Sequence, residues 1–393
     1  MGGLQDCFNI ADLREAARKR LPRGVFEFVD RGVEDEVSLA NNSDAFRRIK
    51  LWNKVLVDLD GVQLGTDLLG SPVGLPLAIS PTGLAGLCWH EGELALAKAA
   101  AKAKIPYTLA NGSITAMEKI AKGAGGRLWF QIYLWREREL TYGVVRRARD
   151  CGFETLIVTV DTGLGGNREH NRRNGFGLPF KFSRRNIPDF AMHPGWVLRV
   201  ILPYLRESGF PRHENYPAGY ENMMAGSAVK KDKAMRGENS TWADIDKLRA
   251  LWPGHLLVKG VMRPEDAIRA VEHGADGVII SNHGGRALDS APATLDALPG
   301  IVDAVGARTS IILDSGIRRG GDIVKALALG AKSVMMGRAT LYGVAAGGEA
   351  GASQAISLLR DEYRQTMGYV GCRSVSEISP DIIVRPHGSN QPV

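Results

Sequence analysis

Gly277-Val278-Ile279-Ile280-Ser281-Asn282-His283-Gly284-Gly285-Arg286 is a short apolar run that ends in a histidine, two glycines and an arginine. Four apolar residues followed by turn formers read as a buried strand, and this one delivers its chemistry at its carboxyl end. An imidazole accepts a proton near neutral pH. Paired glycines let a flat ligand approach the backbone, and an arginine grips a carboxylate through two parallel hydrogen bonds. Alone, the stretch fits a turn with a capping histidine equally well, so the fold depends on whether the pattern recurs.

It does recur. Strand runs are predicted at Leu77 to Ser80, Ile105 to Leu109, Leu128 to Tyr133, Thr155 to Val160, His255 to Val258, Gly277 to Ile280, Ser310 to Leu313 and Ser333 to Met336, eight in all. Between them lie helical patterns such as Glu93 to Lys104, Leu140 to Asp150, Pro264 to His273 and Asp322 to Leu329. The pattern at Pro264 is well punctuated, with proline in its first turn, Glu265 and Asp266 at the positive end of the dipole and Gly274 to stop it. Eight strands alternating with helices predict an α/β fold, a closed (β/α)8 TIM barrel, better than an open doubly wound sheet. Working residues of such barrels sit at the carboxyl ends of the strands. Here those ends read Pro81-Thr82-Gly83, Ser113, Gln131 with Tyr133, Thr159 with Asp161, Lys259, Ser281 with His283, Asp314 with Gly316, and Gly337 with Arg338.

Residues 1–76 are expected to form an N-terminal helical segment packed on the barrel. Asp12 would cap a helix carrying Leu13, Ala16, Ala17 and Leu21 before Pro22, and a second helix would hold Val25, Phe26, Phe28 and Val29. The barrel would take residues 77–168 and 241–393, including a C-terminal helix, leaving 169–240 as an insertion. The fourth strand ends near Asp161 and the fifth starts near His255, more than ninety residues later, where roughly thirty to forty-five would serve one unit.

Between Arg168 and Arg236 there are thirteen Lys or Arg and six Asp or Glu, a net +7 that equals the whole chain's excess of 50 over 43. Within that segment Trp196-Val197-Leu198-Arg199-Val200-Ile201-Leu202-Pro203-Tyr204-Leu205-Arg206 puts two arginines on one side of a helical wheel and a wide apolar arc on the other. An interfacial amphipathic helix beside a basic cluster has this pattern, and an active-site lid or a subunit contact fits it equally well.

At 393 residues, 44% hydrophobic and 24% charged, the chain has an ordinary globular composition. Its positive balance does not choose between an anionic ligand, a membrane surface and nucleic acid. Cys7, Cys88, Cys151 and Cys372 show neither a Cys-x-x-Cys pair nor a zinc spacing, which predicts free thiols, a reducing compartment and no metal site. The residues through Arg14 do not read as a secretory leader, and the chain ends Gln391-Pro392-Val393, which is not a peroxisomal signal. No run of about 18 apolar residues is present.

Asp314-Ser315-Gly316-Ile317-Arg318-Arg319-Gly320-Gly321 and Gly337-Arg338 follow the last two strands, where barrels usually bind phosphate. Ser113, Gln131 and Thr159 suit the edge of a heteroaromatic ring. Lys259 would bring a positive charge to that ring, favouring a cofactor that turns anionic on reduction. Flavin mononucleotide (FMN) has these properties, with Asp314 placed for the ribityl hydroxyls.

The sequence resembles the FMN-dependent 2-hydroxy-acid dehydrogenase and oxidase family, which includes glycolate oxidase, flavocytochrome-type lactate dehydrogenases and mandelate dehydrogenase, the last being closest in character. The resemblance runs from Leu21-Pro22 and Gly32-Val33-Glu34-Asp35-Glu36, through the Ser-Asn-His-Gly-Gly-Arg hexad, to Gly337-Arg338-Ala339. It implies that His283 is the base, supported by Asp161. Arg286 and Arg168 would clamp the substrate carboxylate, and Tyr133 would bond its hydroxyl or forming carbonyl. For FMN it implies Pro81, Thr82 and Gly83 against the ring, and Ser113, Gln131, Thr159, Lys259 and Ser281 around it. Asp314, Ser315, Gly316, Ile317, Arg318, Gly337 and Arg338 would extend toward ribityl and phosphate. A homotetramer is also implied.

Three positions depart from the family pattern. Phe28 stands where a carboxylate-binding tyrosine is common, Ala110-Asn111-Gly112-Ser113 replaces a Ser/Thr-rich run, and Gly83 occupies a frequent alanine of the oxidases. Phe28, with Trp and Leu residues of the insertion, favours a bulky or aromatic substrate. The expected partners are therefore a small 2-hydroxy acid and a quinone acceptor, without nucleic acid, in a cytoplasmic enzyme held peripherally on the inner face of a membrane. The competing expectations are a soluble oxidase using O2 and a non-redox phosphate-binding isomerase or lyase.

Overall fold

Residues 3–177, 183–217, 219–220 and 239–384 are described by the computed structural model of the chain. A hairpin, β1 (Thr66–Leu68) and β2 (Ser71–Val73), precedes the barrel. The strands β3 (Leu77–Ile79), β4 (Tyr107–Ala110), β5 (Leu128–Tyr133), β6 (Thr155–Thr159), β7 (His255–Val261), β8 (Gly277–Ile280), β9 (Ser310–Asp314) and β10 (Ser333–Met336) then pair in chain order, and β10 closes on β3 in parallel. Every residue of β3, β4, β6, β8 and β10 is buried, because a parallel sheet wrapped in helices has no wet face. Ala78, Trp129, Ile157, Leu257, Ile279, Ile312 and Met335 fill the interior, and Leu68, Leu69 and Val73 of the hairpin pack against them.

Three strands match their predicted runs at both ends, and the others differ by at most three residues at either end. The largest difference is at β7, which continues past Val258 through a register shift between Lys259 and Val261. Gly260 makes that bulge, at φ 105°. Two helix starts differ for one shared reason. Asn9, not Asp12, caps α1 (Ile10–Arg20), and Asp12 sits in its first turn, accepting from the Phe8 N–H. Likewise the helix after β9 begins at Gly320, and Asp322 lies inside its first turn, accepting from the N–H groups of Arg318 and Arg319. An acidic residue that satisfies helix-start amides from the third position reads in sequence like the cap itself.

After α1 come α2 (Arg23–Asp30) and α3 (Val37–Arg48). The α1 helix packs on the C-terminal helical stretch Arg338–Val370, which breaks at Gly347 and Gly348, and α2 carries Phe28 to the carboxyl ends of the strands. The α3 helix is fastened to the hexad by a reciprocal amide pair: Asn42 Nδ2 donates to Asn282 Oδ1 (2.9 Å) and Asn282 Nδ2 donates to Asn42 Oδ1 (2.8 Å).

The β6 to β7 connection corrects one expectation. Pro194–Trp196, a π turn Val197–Ile201 and Leu202–Glu207 follow one another helically. Pro203 lacks an N–H and crowds the preceding turn, which accounts for the widening. The apolar arc is not all turned outward. Trp196, Val200 and Tyr204 are buried, with Trp196 Nε1 donating to Leu87 O (2.7 Å) and the Glu91 N–H donating to the Tyr204 hydroxyl (3.0 Å). Ile187, Met192, Leu198 and Leu205 remain exposed. Lys181, Lys230, Lys231, Lys233 and Arg236 of the basic cluster lie outside the described residues. Among the described residues no helix is long and apolar enough to cross a membrane, and the four cysteines are free.

Candidate active site

The carboxyl ends of the strands surround a cleft that opens to solvent at its mouth. His283 stands on its wall in the left-handed region (φ 57°), followed by Gly284 (φ 65°) and Gly285 (φ 72°). Three such residues in succession turn the chain back sharply, and only glycine fits the last two. A Cβ on Gly285 would lie 2.6 Å from Leu39 N, and one on Gly284 would lie 2.6 Å from Arg338 Nη1. The Ser281 hydroxyl accepts from the His283 N–H (3.0 Å) and the Ser315 hydroxyl from the Gly284 N–H (3.0 Å), which holds the turn.

His283 Nδ1 lies 2.9 Å from Asp161 Oδ1, leaving Nε2 as the nitrogen available to a ligand. Burial lowers the imidazole pKa; Asp161 opposes this, and the net position is below the ordinary histidine value. Burial pushes the Asp161 carboxyl up, but His283 and Lys259 more than offset this and hold it below the usual aspartate range. The pair at neutral pH is therefore a neutral imidazole beside a carboxylate. Tyr133 stacks on His283 (6.4 Å between centroids), and burial, with Asp161, pushes its hydroxyl up to about 12, so it stays a phenol.

Arg168 and Arg286 flank the Phe28 ring, their Cζ atoms 5.8 and 5.0 Å from its centre. Among the described residues neither guanidinium has a carboxylate partner, and Arg168 Nε is buried without any partner. Arg286 Nη1 donates to Phe28 O (2.5 Å). Burial, then the charges of Arg168 and Arg338, press Arg286 well below its ordinary value. Arginine does not lose its proton in proteins, so that pressure is a demand for an anion.

Arg338, which shares the Val29 and Arg31 carbonyls with Arg286, donates from Nη1 to Gly284 O (2.8 Å), from Nε to Val29 and Asp30 carbonyls and from Nη2 to Arg31 O, all neutral acceptors. With Gly316, Ile317, Arg318 and Gly337 it forms a cationic, amide-rich end of the cleft at the start of helix Arg338–Val370. The cleft wall also holds a buried ion pair. Lys259 Nζ is 2.8 Å from Asp314 Oδ2 and donates to Ser281 Oγ (2.7 Å), while Ser281 and Ser80 each donate to Asp314.

Ser113, Gln131 and Thr159 are buried with hydroxyl or amide groups that have no partner, as is Asn111. Buried polar groups are nearly always satisfied. Four orphans together beside a cleft with an anion-seeking end therefore fit a flat heteroaromatic ligand with a phosphate tail.

Seventeen of the expected positions line the cleft: Phe28, Pro81, Thr82, Gly83, Tyr133, Thr159, Arg168, Lys259, His283, Arg286, Asp314, Ser315, Gly316, Ile317, Arg318, Gly337 and Arg338. Asp161 stands behind His283, and Ser113, Gln131 and Ser281 lie buried beneath the wall. Gly284, one of the paired glycines expected beside a flat ligand, also lines the cleft, and sequence reasoning missed Val29, Ser80, Ala110, Gly112, Met335, Met336 and Leu341. Of these, Ser80 was recoverable from its place at the end of the first strand. The expectation that the tryptophan of the insertion shapes the substrate pocket is corrected, since Trp196 packs on the barrel; Leu178 lies outside the described residues, and among the described ones the insertion reaches Phe28 through Phe176 (5.4 Å between centroids).

The family model for FMN-dependent dehydrogenases matches residues 17–385. The chain is 40% identical to (S)-mandelate dehydrogenase of Pseudomonas putida over 379 residues, 96% of this chain and 94% of that one. It is 38% identical to L-lactate oxidase of Nostoc sp., covering 98% and 100% of the two chains. The crystal structure of a monotopic membrane protein, (S)-mandelate dehydrogenase, superposes with a TM-score of 0.91 at 39% identity, over 97% of this chain and 100% of that one.

Proposed function

Because the chain belongs to the FMN-dependent dehydrogenase family and uses FMN, we propose that it oxidises a 2-hydroxy acid with a bulky, mandelate-like side chain to the 2-oxo acid and passes the electrons to a quinone. The observation that carries this reading is the His283–Asp161 pair near two guanidiniums that lack carboxylate partners among the described residues. Arg168 and Arg286 bind the substrate carboxylate, which supplies the anion both lack. The Tyr133 hydroxyl donates to the substrate oxygen. His283 takes a proton from the substrate at Nε2, and Asp161 stabilises the imidazolium so formed. FMN, when bound, supplies the two-electron acceptor. Ser113, Gln131 and Thr159 would hold the edge of its ring, Lys259 would bring positive charge to it, and Arg318 and Arg338 would hold its phosphate.

Phe28 supports a bulky acid, since an aromatic ring replaces a hydroxyl beside the carboxylate clamp and Phe176 backs it with a second ring. The quinone reading draws support from the exposed apolar residues Ile187, Met192, Leu198 and Leu205 beside exposed Arg184, Arg185, Arg199 and Arg206, a composition that suits the headgroup region of an anionic membrane. It also draws on Gly83, where an oxidase often carries alanine.

The test is anaerobic bleaching of the flavin band by the stereoisomers of mandelate, lactate and glycolate, followed by reoxidation with a quinone analogue or O2. Bleaching fastest with (S)-mandelate and reoxidation fastest with quinone are expected. Preference for glycolate would overturn the substrate, and equal rates with O2 the acceptor.

A further inference from the structure

The chain leaves the exposed part of the insertion at Glu207 and comes back across the barrel at 211–217. This returning arm docks on the turn after β4, where the flavin-side wall is made. His213, buried, holds Gly112 O through Nδ1 at 3.1 Å. The Glu214 N–H donates to Ser113 O (3.2 Å). Asn215, fully buried, accepts from the Met117 N–H (2.8 Å) and donates to Thr115 O (2.9 Å). Tyr216 stacks on His213 at 4.4 Å and meets Trp135 edge-on at 5.5 Å, and Arg147 ties Glu214 O to Glu118.

What the arm grips has a direct bearing on the cleft. Gly112 lines it, and so does Gly83 across from it: a Cβ on Gly83 would stand 3.4 Å from Gly112 O and meet no other residue within 4 Å. The Gly112 carbonyl therefore sets the gap on that side, and the neighbouring Ser113 hydroxyl is one of the orphans awaiting a ligand. Alone, a glycine in a turn would not keep its carbonyl in one place.

We propose that His213 is a positioning residue for the cofactor, a group that never touches FMN but fixes the Gly112–Ser113 peptide against which the ring is held. A carbonyl only accepts, so Nδ1 carries the proton and the imidazole acts as a neutral donor. Burial, which outweighs the Gly112 bond, keeps its pKa down at about 4, so that state persists through the physiological range. The insertion thereby becomes part of the flavin site, although none of its described residues from 169 to 240 lines the cleft.

The inference rests on FMN occupying this cleft, and the experiment separates the two. Three proteins are compared as isolated: wild type, His213→Asn, whose amide nitrogen replaces Nδ1 as donor, and His213→Phe, which keeps the ring on Tyr216 and loses the donor. FMN affinity is read by flavin fluorescence and the environment of the ring by the visible absorbance band. His213→Phe is expected to bind FMN about tenfold more weakly with a displaced band, as follows from a lost hydrogen bond and an unsatisfied carbonyl. His213→Asn should behave like wild type, and the KM for the acid should be retained in both. If His213→Phe does not fold, His213→Ala takes its place. Wild-type affinity and band in the Phe variant, or an Asn variant as weak as the Phe variant, would overturn the proposal. A wild type that takes up no FMN would instead overturn the cofactor reading.

Discussion

His283 Nδ1 and Asp161 Oδ1 meet at 2.9 Å, and both groups sit below their ordinary pKa values. The first prediction follows from the signs. The base works as neutral imidazole, so kcat/KM should be level above about pH 6.5 and fall below it as His283 gains a proton. Stability moves the same way. Unfolded histidine binds its proton at higher pH than folded His283, so stability declines as pH drops below about 6.5; the Asp161 contribution begins to go below about 3.9 and is gone once pH has passed its folded pKa. A pH series of kcat/KM alongside denaturant midpoints checks both, and an acid limb centred above pH 7 would contradict the assignment.

Asp161→Asn removes the charge that raises His283 and stabilises its protonated form. Its acid limb should move to lower pH, while kcat falls by about 10²- to 10⁴-fold with FMN still bound. Unchanged turnover would leave Asp161 without its assigned part.

The barrel and most of this site were legible because their signals are local. Val278, Ile279 and Ile280 announce a buried strand, and the polar residue at each strand's end falls on the same rim by the geometry of the fold. What escaped was set by contacts distant in sequence. Nothing near Asn9 or Asp322 tells a cap from a first-turn carboxylate. Gly112 looks like any turn glycine until His213, 101 residues later, is found on its carbonyl. Trp196 reads as part of an amphipathic arc or of the substrate pocket until Leu87 O is seen to hold its indole.

The Phe28 ring stands 5.8 and 5.0 Å from the guanidiniums of Arg168 and Arg286, and its side chain offers neither a hydrogen bond. Restoring a hydroxyl with Phe28→Tyr should add about 1 kcal/mol of binding to the carboxylate of a small acid, raising kcat/KM for lactate about fivefold while the value for mandelate stays level or falls. The ratio of the two constants is the measurement, and a ratio shifted toward mandelate would refute the role given to this ring.

Lys259 and Asp314 are buried together, their side chains 4% and 10% exposed, with Ser281 between them and Ser80 on the far carboxylate oxygen. Lys259→Met leaves a carboxylate in a low-dielectric interior without its cation, which should cost about 3–5 kcal/mol in the FMN-free protein. Pairing it with Asp314→Asn removes the stranded charge as well, so the double variant should recover most of that loss in a denaturant titration. FMN affinity should remain low in both variants, because neither restores the positive charge beside the ring. A single variant as stable as wild type would mean that Asp314 is already protonated in the fold, against the direction in which Lys259 and Ser281 hold it once burial has been outweighed.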